Sequence, residues 1–121
     1  MMRKIYLSGP MTGIEELNYP LFNNVAALLR ATGDMVYNPA EYCGIKGIPE
    51  ASFNLRRAFS DYLQYICLYA NTLVLLPGWE QSKGAMAEFM VARNFPIEVI
   101  HWEIVAPTFA GLPPYRAPTP E

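Results

Sequence analysis

The stretch from Leu73 to Arg93 restricts this chain more than any other. Leu73-Val74-Leu75-Leu76 is an apolar run short enough for a buried parallel strand. Pro77-Gly78 breaks the run, and Ser82 is a good N-cap for the helix that follows. On that helix Ala85, Glu88, Phe89 and Ala92 fall at the i, i+3, i+4, i+7 spacing of one face. Phe89 and the alanines look inward, which puts the Glu88 carboxylate on or beside the apolar stripe. An ionised carboxylate there is unfavourable unless it is paired, wetted by a cleft or used. The mouth of a strand-loop-helix unit in an open α/β sheet is where ligands bind. Glu88 is therefore either a functional group at such a mouth or an edge residue in solvent.

The rest of the chain repeats the same unit. Lys4 to Ser8 reads as a first strand, followed by the glycine-punctuated loop Gly9-Pro10-Met11-Thr12-Gly13. Such a loop can present backbone amides to an anion, or its glycines can serve turn geometry alone. Pro20 suits the first turn of a helix whose stripe is Phe22, Val25, Ala26 and Leu29, closed by Thr32-Gly33. Met35 to Tyr37 is a second short strand. Ala40 to Glu50, with Gly44, Gly47 and Pro49, shows no periodicity and reads as a loop long enough to lie over a site. A second helix is expected from about Ala51 to Tyr69, with Leu55, Phe59, Tyr62, Leu63 and Ile66 toward the core. Asp61 lies off that stripe, and an i, i+4 pair with Arg57 accounts for it. Ile97 to Ile100 is a fourth strand, with His101 at its end as a structural residue.

This order predicts a single α/β domain over residues 1–105, three-layer α/β/α. The expected parallel sheet has four or five strands in the flavodoxin- or Rossmann-like order 2-1-3-4, extended by a fifth if residues after His101 add one. Residues 106–121 form a Pro-rich tail, in which five prolines rule out a helix or a central strand.

At 121 residues the chain has room for one core. No apolar run approaches the ~20 residues of a membrane span, so no membrane partner is expected. A net charge of −2 without a basic cluster argues against a nucleic acid polymer. Cys43, Cys67 and His101 do not make a zinc site of the usual spacing, so no metal is expected. Cys67 reads as a small core residue and Cys43 as an exposed loop residue in a reducing cytoplasm. Tyr62, Tyr65 and Tyr69 on one helix exceed what a small core needs and suggest a homo-oligomer, a dimer or larger.

Three segments also resemble a known family. Ile5 to Gly13, Asn38-Pro39-Ala40-Glu41, and Leu76 to Ala85 together with Glu88 are similar to a group of small uncharacterised proteins common in phages and prophages. That group looks like a branch of the nucleoside 2-deoxyribosyltransferase superfamily, which also contains nucleoside 5'-monophosphate N-glycosidases. The resemblance covers about Lys4 to Ile100. It implies a glutamate nucleophile at Glu88, oriented by Tyr6, with Asp61 as the acid or base-binding group. Ser82 stands where the monophosphate hydrolases carry serine and the transferases aspartate. Thr12 stands where those hydrolases carry arginine, and Asn71 where many relatives carry aspartate.

The implied chemistry is cleavage or transfer at the N-glycosidic bond of a (deoxy)nucleoside or its 5'-monophosphate. Such a reaction passes through an oxocarbenium-like state that a carboxylate below the sugar can trap. The leaving base needs a proton, which a second carboxyl can give. Ser82 and Gly84, with the first free amides of their helix and the Gly9-to-Gly13 loop, would hold a phosphate or 5'-hydroxyl. Trp79 and Tyr19 are candidate surfaces for stacking a base, and no cofactor is required. Two alternatives stand beside this: a nucleotide-binding or sensing module without turnover, and a phage accessory protein acting on a host protein.

Overall fold

The computed structural model describes residues 2–109. Four strands, β1 (Lys4–Ser8), β2 (Met35–Tyr37), β3 (Thr72–Leu75) and β4 (Glu98–His101), form one parallel sheet in the order β2-β1-β3-β4. The central pair, β1 and β3, is the most apolar; Ile5, Tyr6, Leu7 and all of β3 are buried, as strands covered on both faces must be. Side chains alternate across the sheet. Ile5, Leu7, Val74 and Leu76 meet Phe22, Val25, Ala26 and Leu29 of α1 (Tyr19–Ala31) on one side. Tyr6, Leu73 and Leu75 meet Ala58, Tyr62 and Ile66 of one helix and Ala92 of another on the opposite side.

Between β2 and β3 the chain departs from expectation. Pro39–Glu41 is a 3-10 turn capped by Asn38, whose Oδ1 accepts from the Ala40 amide at 3.0 Å. It leads into a short helix, α2 (Tyr42–Lys46), which Gly47 ends at φ +68°. The expected loop is thus mostly helical turns, each too short for a period to be visible. The long helix α3 (Leu55–Leu68) begins later than expected because Asn54 caps it, accepting from the Arg57 amide at 3.0 Å. Ala58, Tyr62 and Ile66, four residues apart, face the sheet. Leu55, one turn earlier, is exposed rather than in the core.

The cysteines exchange their expected roles: Cys43 is buried and Cys67 exposed. Cys67 follows the sheet-facing Ile66 by one residue, about 100° round the helix, and so points away. After α4 (Lys83–Ala92) and β4 no fifth strand forms among the described residues. Trp102 is buried at the start of a single turn, α5 (Trp102–Val105), and a 3-10 turn follows over Ala106–Phe109. Pro107 is tolerated there because the start of a helical turn needs no amide donor. Phe109 packs on Trp102 with ring centroids 5.1 Å apart, so packed structure continues past Val105. The rest of the Pro-rich tail lies outside the described residues. No helix among them is long and apolar enough to cross a membrane.

Candidate active site

Tyr6 and Ser8 are two residues apart on β1, so their side chains leave the same face of the sheet. Helix α4 crosses above that face. Its start is fixed by Ser82, whose Oγ accepts from the Ala85 amide at 3.1 Å, and this brings Glu88 down over β1. The Tyr6 hydroxyl donates to Glu88 Oε2 at 2.5 Å, and the Ser8 hydroxyl donates to Oε1 at 2.7 Å. Glu88 is only 5% exposed. Burial pushes its carboxyl up to about 7, against the two hydroxyl donors, which pull it down by stabilising the charged form. The Tyr6 hydroxyl is held well above the ordinary tyrosine range, chiefly by burial and then by the Glu88 charge, so it stays a donor.

Glu88 forms part of the wall of a cleft of about 520 Å³. The cleft opens beyond the carboxyl ends of β1 and β3, between the loop Gly9-Pro10-Met11-Thr12 and the segment Gln81 to Ala85. Tyr6 and Glu88 lie in it together, and Phe22, Pro39, Leu55, Phe59 and Tyr62 form an apolar and aromatic wall. Gly9 lets the two loops close up: a Cβ there would sit 2.8 Å from the Leu76 Cβ, and neither could yield. Gly78, at φ +87°, turns the chain out of β3 beside Pro10.

Of the residues singled out from sequence, Tyr6, Gly9, Pro10, Met11, Thr12, Ser82, Gly84 and Glu88 line this cleft together. Four others do not. Gly13 adopts a positive φ of 83° in the turn beyond the cleft. Trp79 packs against Phe89 and His101, with centroids 5.0 and 5.9 Å away. Tyr19 starts α1 and is absent from the lining. Asp61 also lies off the lining; its Oδ2 accepts from the Tyr42 hydroxyl at 2.6 Å and sits 3.7 Å from Lys46 Nζ. Its ion-pair partner is Lys46, not Arg57.

Several residues of the site were not singled out from sequence, Ser8 through its bond to Glu88 and others through the lining. Ser8 was legible in principle: if Tyr6 reaches the helix above, its i+2 neighbour faces the same way. Phe59 and Tyr62 looked like core residues because the helix face that meets the sheet also borders the cleft. Lys83 is the one cation among the lining residues described. Asn71 serves the opposite end of the sheet, its Oδ1 accepting from the Lys4 amide at 2.9 Å and from the Thr72 hydroxyl at 3.0 Å.

The arrangement can hold a carboxylate against a bound molecule, set its orientation through two hydroxyls, and offer an anion the start of α4. No curated protein matches the chain. A family model described as a domain of unknown function, DUF4406, matches residues 3–101, and the chain belongs to that family.

Proposed function

We propose that this protein cleaves or transfers the N-glycosidic bond of a (deoxy)nucleoside or nucleoside 5'-monophosphate, with Glu88 as nucleophile. The observation that carries this reading is a buried carboxylate in a cleft, held at both oxygens by Tyr6 and Ser8. A purely structural carboxylate has no need of an open cleft of about 520 Å³ beside it. In the proposed reaction the sugar lies over Glu88. One carboxylate oxygen attacks C1' as the bond to the base breaks, and the bonding pair leaves with the base. The base takes a proton from solvent or a donor, and water or an acceptor base then displaces Glu88 from C1'. Tyr6 and Ser8 fix the carboxylate so that little reorganisation is needed at the moment of attack. Ser82, Lys83 and Gly84 would hold the 5' end, and the Phe59–Tyr62 wall the base.

A second reading, nucleotide binding without turnover, is favoured by one observation. Glu88 is the sole carboxylate among the described lining residues, so no acid faces the place of a leaving base. One experiment separates the two. The purified protein is incubated with a panel of nucleosides and 5'-monophosphates and free base is measured, alongside ligand binding by calorimetry. On the enzymatic reading wild type releases base, and Glu88→Ala loses turnover by at least ~1000-fold while still binding. Binding without release from any member of the panel would favour the sensing module, and neither would sink both.

A further inference from the structure

The segment 38–54 joins β2 to α3 and runs past the cleft; Pro39 at one end and Leu55 just beyond the other both line it. Its first residues are tied to α1: Asn38 Nδ2 donates to Asn23 Oδ1 at 2.9 Å, and the Arg30 guanidinium donates to both Glu41 carboxylate oxygens at 2.7 and 2.8 Å. Past Cys43 little holds the strap down. Between Gly44 and Asn54 no residue is buried, and its only buried side chains are those of Asn38, Pro39, Tyr42 and Cys43. A five-residue helix such as α2 does not persist by itself in water. What ties α2 to α3 is Tyr42. The Tyr42 ring packs edge-on against Tyr62, with centroids 5.5 Å apart, and its hydroxyl donates to Asp61 at 2.6 Å. Lys46, one turn later, adds an ion pair to the same carboxylate at 3.7 Å. Tyr62 in turn borders the cleft and lies 6.0 Å from Tyr6, the residue that orients Glu88.

We propose that Asp61 is a positioning residue that latches the strap 38–54 beside the cleft through Tyr42 and Lys46, and that it donates no proton to the reaction. Segments with few buried contacts are the ones that open locally and admit ligands. With the latch made, the strap, Tyr62 and the cleft wall form one packed surface. With it broken, α2 lifts and Tyr62, which borders the cleft, loses the ring that packs against it. The latch keeps its acceptor as long as residue 61 carries an oxygen for Tyr42, so asparagine should replace aspartate where alanine does not.

The test compares wild type with Tyr42→Phe, Asp61→Asn and Asp61→Ala by amide hydrogen exchange. Gly47 and Ile48 report on the strap, because their amides bond to Gly44 and Cys43 within it. Leu7 and Val74 report on the central sheet. The expected result is exchange at Gly47 and Ile48 about 10-fold faster in Tyr42→Phe and Asp61→Ala, with Asp61→Asn within about threefold of wild type. Leu7 and Val74 should stay slow in all four. Turnover of 2'-deoxyadenosine 5'-monophosphate, which rests on the function proposed above, should show a raised KM with kcat nearly kept in the same two variants. Unchanged exchange in both Tyr42→Phe and Asp61→Ala overturns the latch. So does a collapse of kcat in Asp61→Asn with Tyr42→Phe unaffected, the signature of a proton donor. If wild type releases no base from any nucleoside or monophosphate, the proposed function fails, and the exchange comparison still decides the latch.

Discussion

At the scale of the residue, Glu88 carries two opposed demands. Folding favours its neutral form, since burial outweighs the hydrogen bonds from Tyr6 and Ser8 and lifts the carboxyl from 4.5 to about 7. Between those values the folded state binds more protons than the unfolded one, so this group's contribution to stability is full below about 4.5, falls as pH rises, and is flat above about 7. The effect is on the order of 3 kcal/mol. Glu88→Gln should therefore unfold at a higher temperature than wild type at pH 8, with the gap closing at pH 4, as calorimetry can check. The proposed attack on C1' needs the charged form instead, so kcat/KM should rise through an apparent pKa near 7. Tyr6→Phe removes one of the two downward influences and should move that limb to higher pH. Its rate should fall by ~10- to 100-fold above the limb. Ser8→Ala should act in the same direction. A limb that stays put in both variants would mean that another group titrates.

At the scale of the element, what the sequence made legible follows periodicity and length. The strand-loop-helix from Leu73 onward was readable because an apolar run, a Pro-Gly break, a serine cap and a helical stripe follow one another without ambiguity. The strap was not. Its pieces, Pro39–Glu41, Tyr42–Lys46 and Glu50–Ser52, are shorter than the window in which a period can be recognised. The run Glu16-Leu17-Asn18, all at positive φ between 53° and 61°, was invisible for another reason. No glycine marks it, and only the fit of the chain before α1 imposes it. Asn18 holds the run to the cleft loop by donating from Nδ2 to the Pro10 carbonyl at 2.9 Å. The Ser82 cap gives the sharpest test at this scale. Ser82→Ala leaves the Ala85 amide without its partner, and should cost about 1 kcal/mol of stability in denaturant unfolding. Because the first turn of α4 lines the cleft, exchange of its amides should rise most among the helices. Equal acceleration across all helices would assign the loss to general destabilisation.

At the scale of the whole molecule, the sheet order dictates where a ligand goes. The chain leaves β1 for β2 on one side and returns to β3 on the other, so the loops after β1 and β3 part company and leave a crevice between them. That much followed from the order of apolar runs, and the described cleft occupies this crevice. What packing across elements alone could settle was the use of the tyrosines. Tyr6, Tyr37, Tyr62 and Tyr65 form one cluster of buried and half-buried rings, with Tyr37 and Tyr65 centroids 4.6 Å apart, and of Tyr62, Tyr65 and Tyr69 only Tyr69, just past the end of α3, is exposed. Core packing accounts for most of what first suggested an oligomer. The oligomer expectation now rests on exposed apolar side chains such as Leu68, Tyr69 and Met90. Light scattering at micromolar concentration should give at least twice the chain mass, and a clean monomer would remove the expectation. The crevice makes a firmer demand. A ligand that binds the folded state alone stabilises it by RT ln(1 + [L]/Kd), about 2.7 kcal/mol at 100 times Kd. For a domain of this size that is a rise on the order of 10 °C in melting temperature. The proposed 5'-monophosphates should produce it in wild type and equally in Glu88→Ala, because the wall and the start of α4 survive that change. Gly9→Ala should fail to show it, since its Cβ, placed 2.8 Å from Leu76, would force the two loops apart. A full thermal shift in Gly9→Ala would place the bound nucleotide outside the crevice.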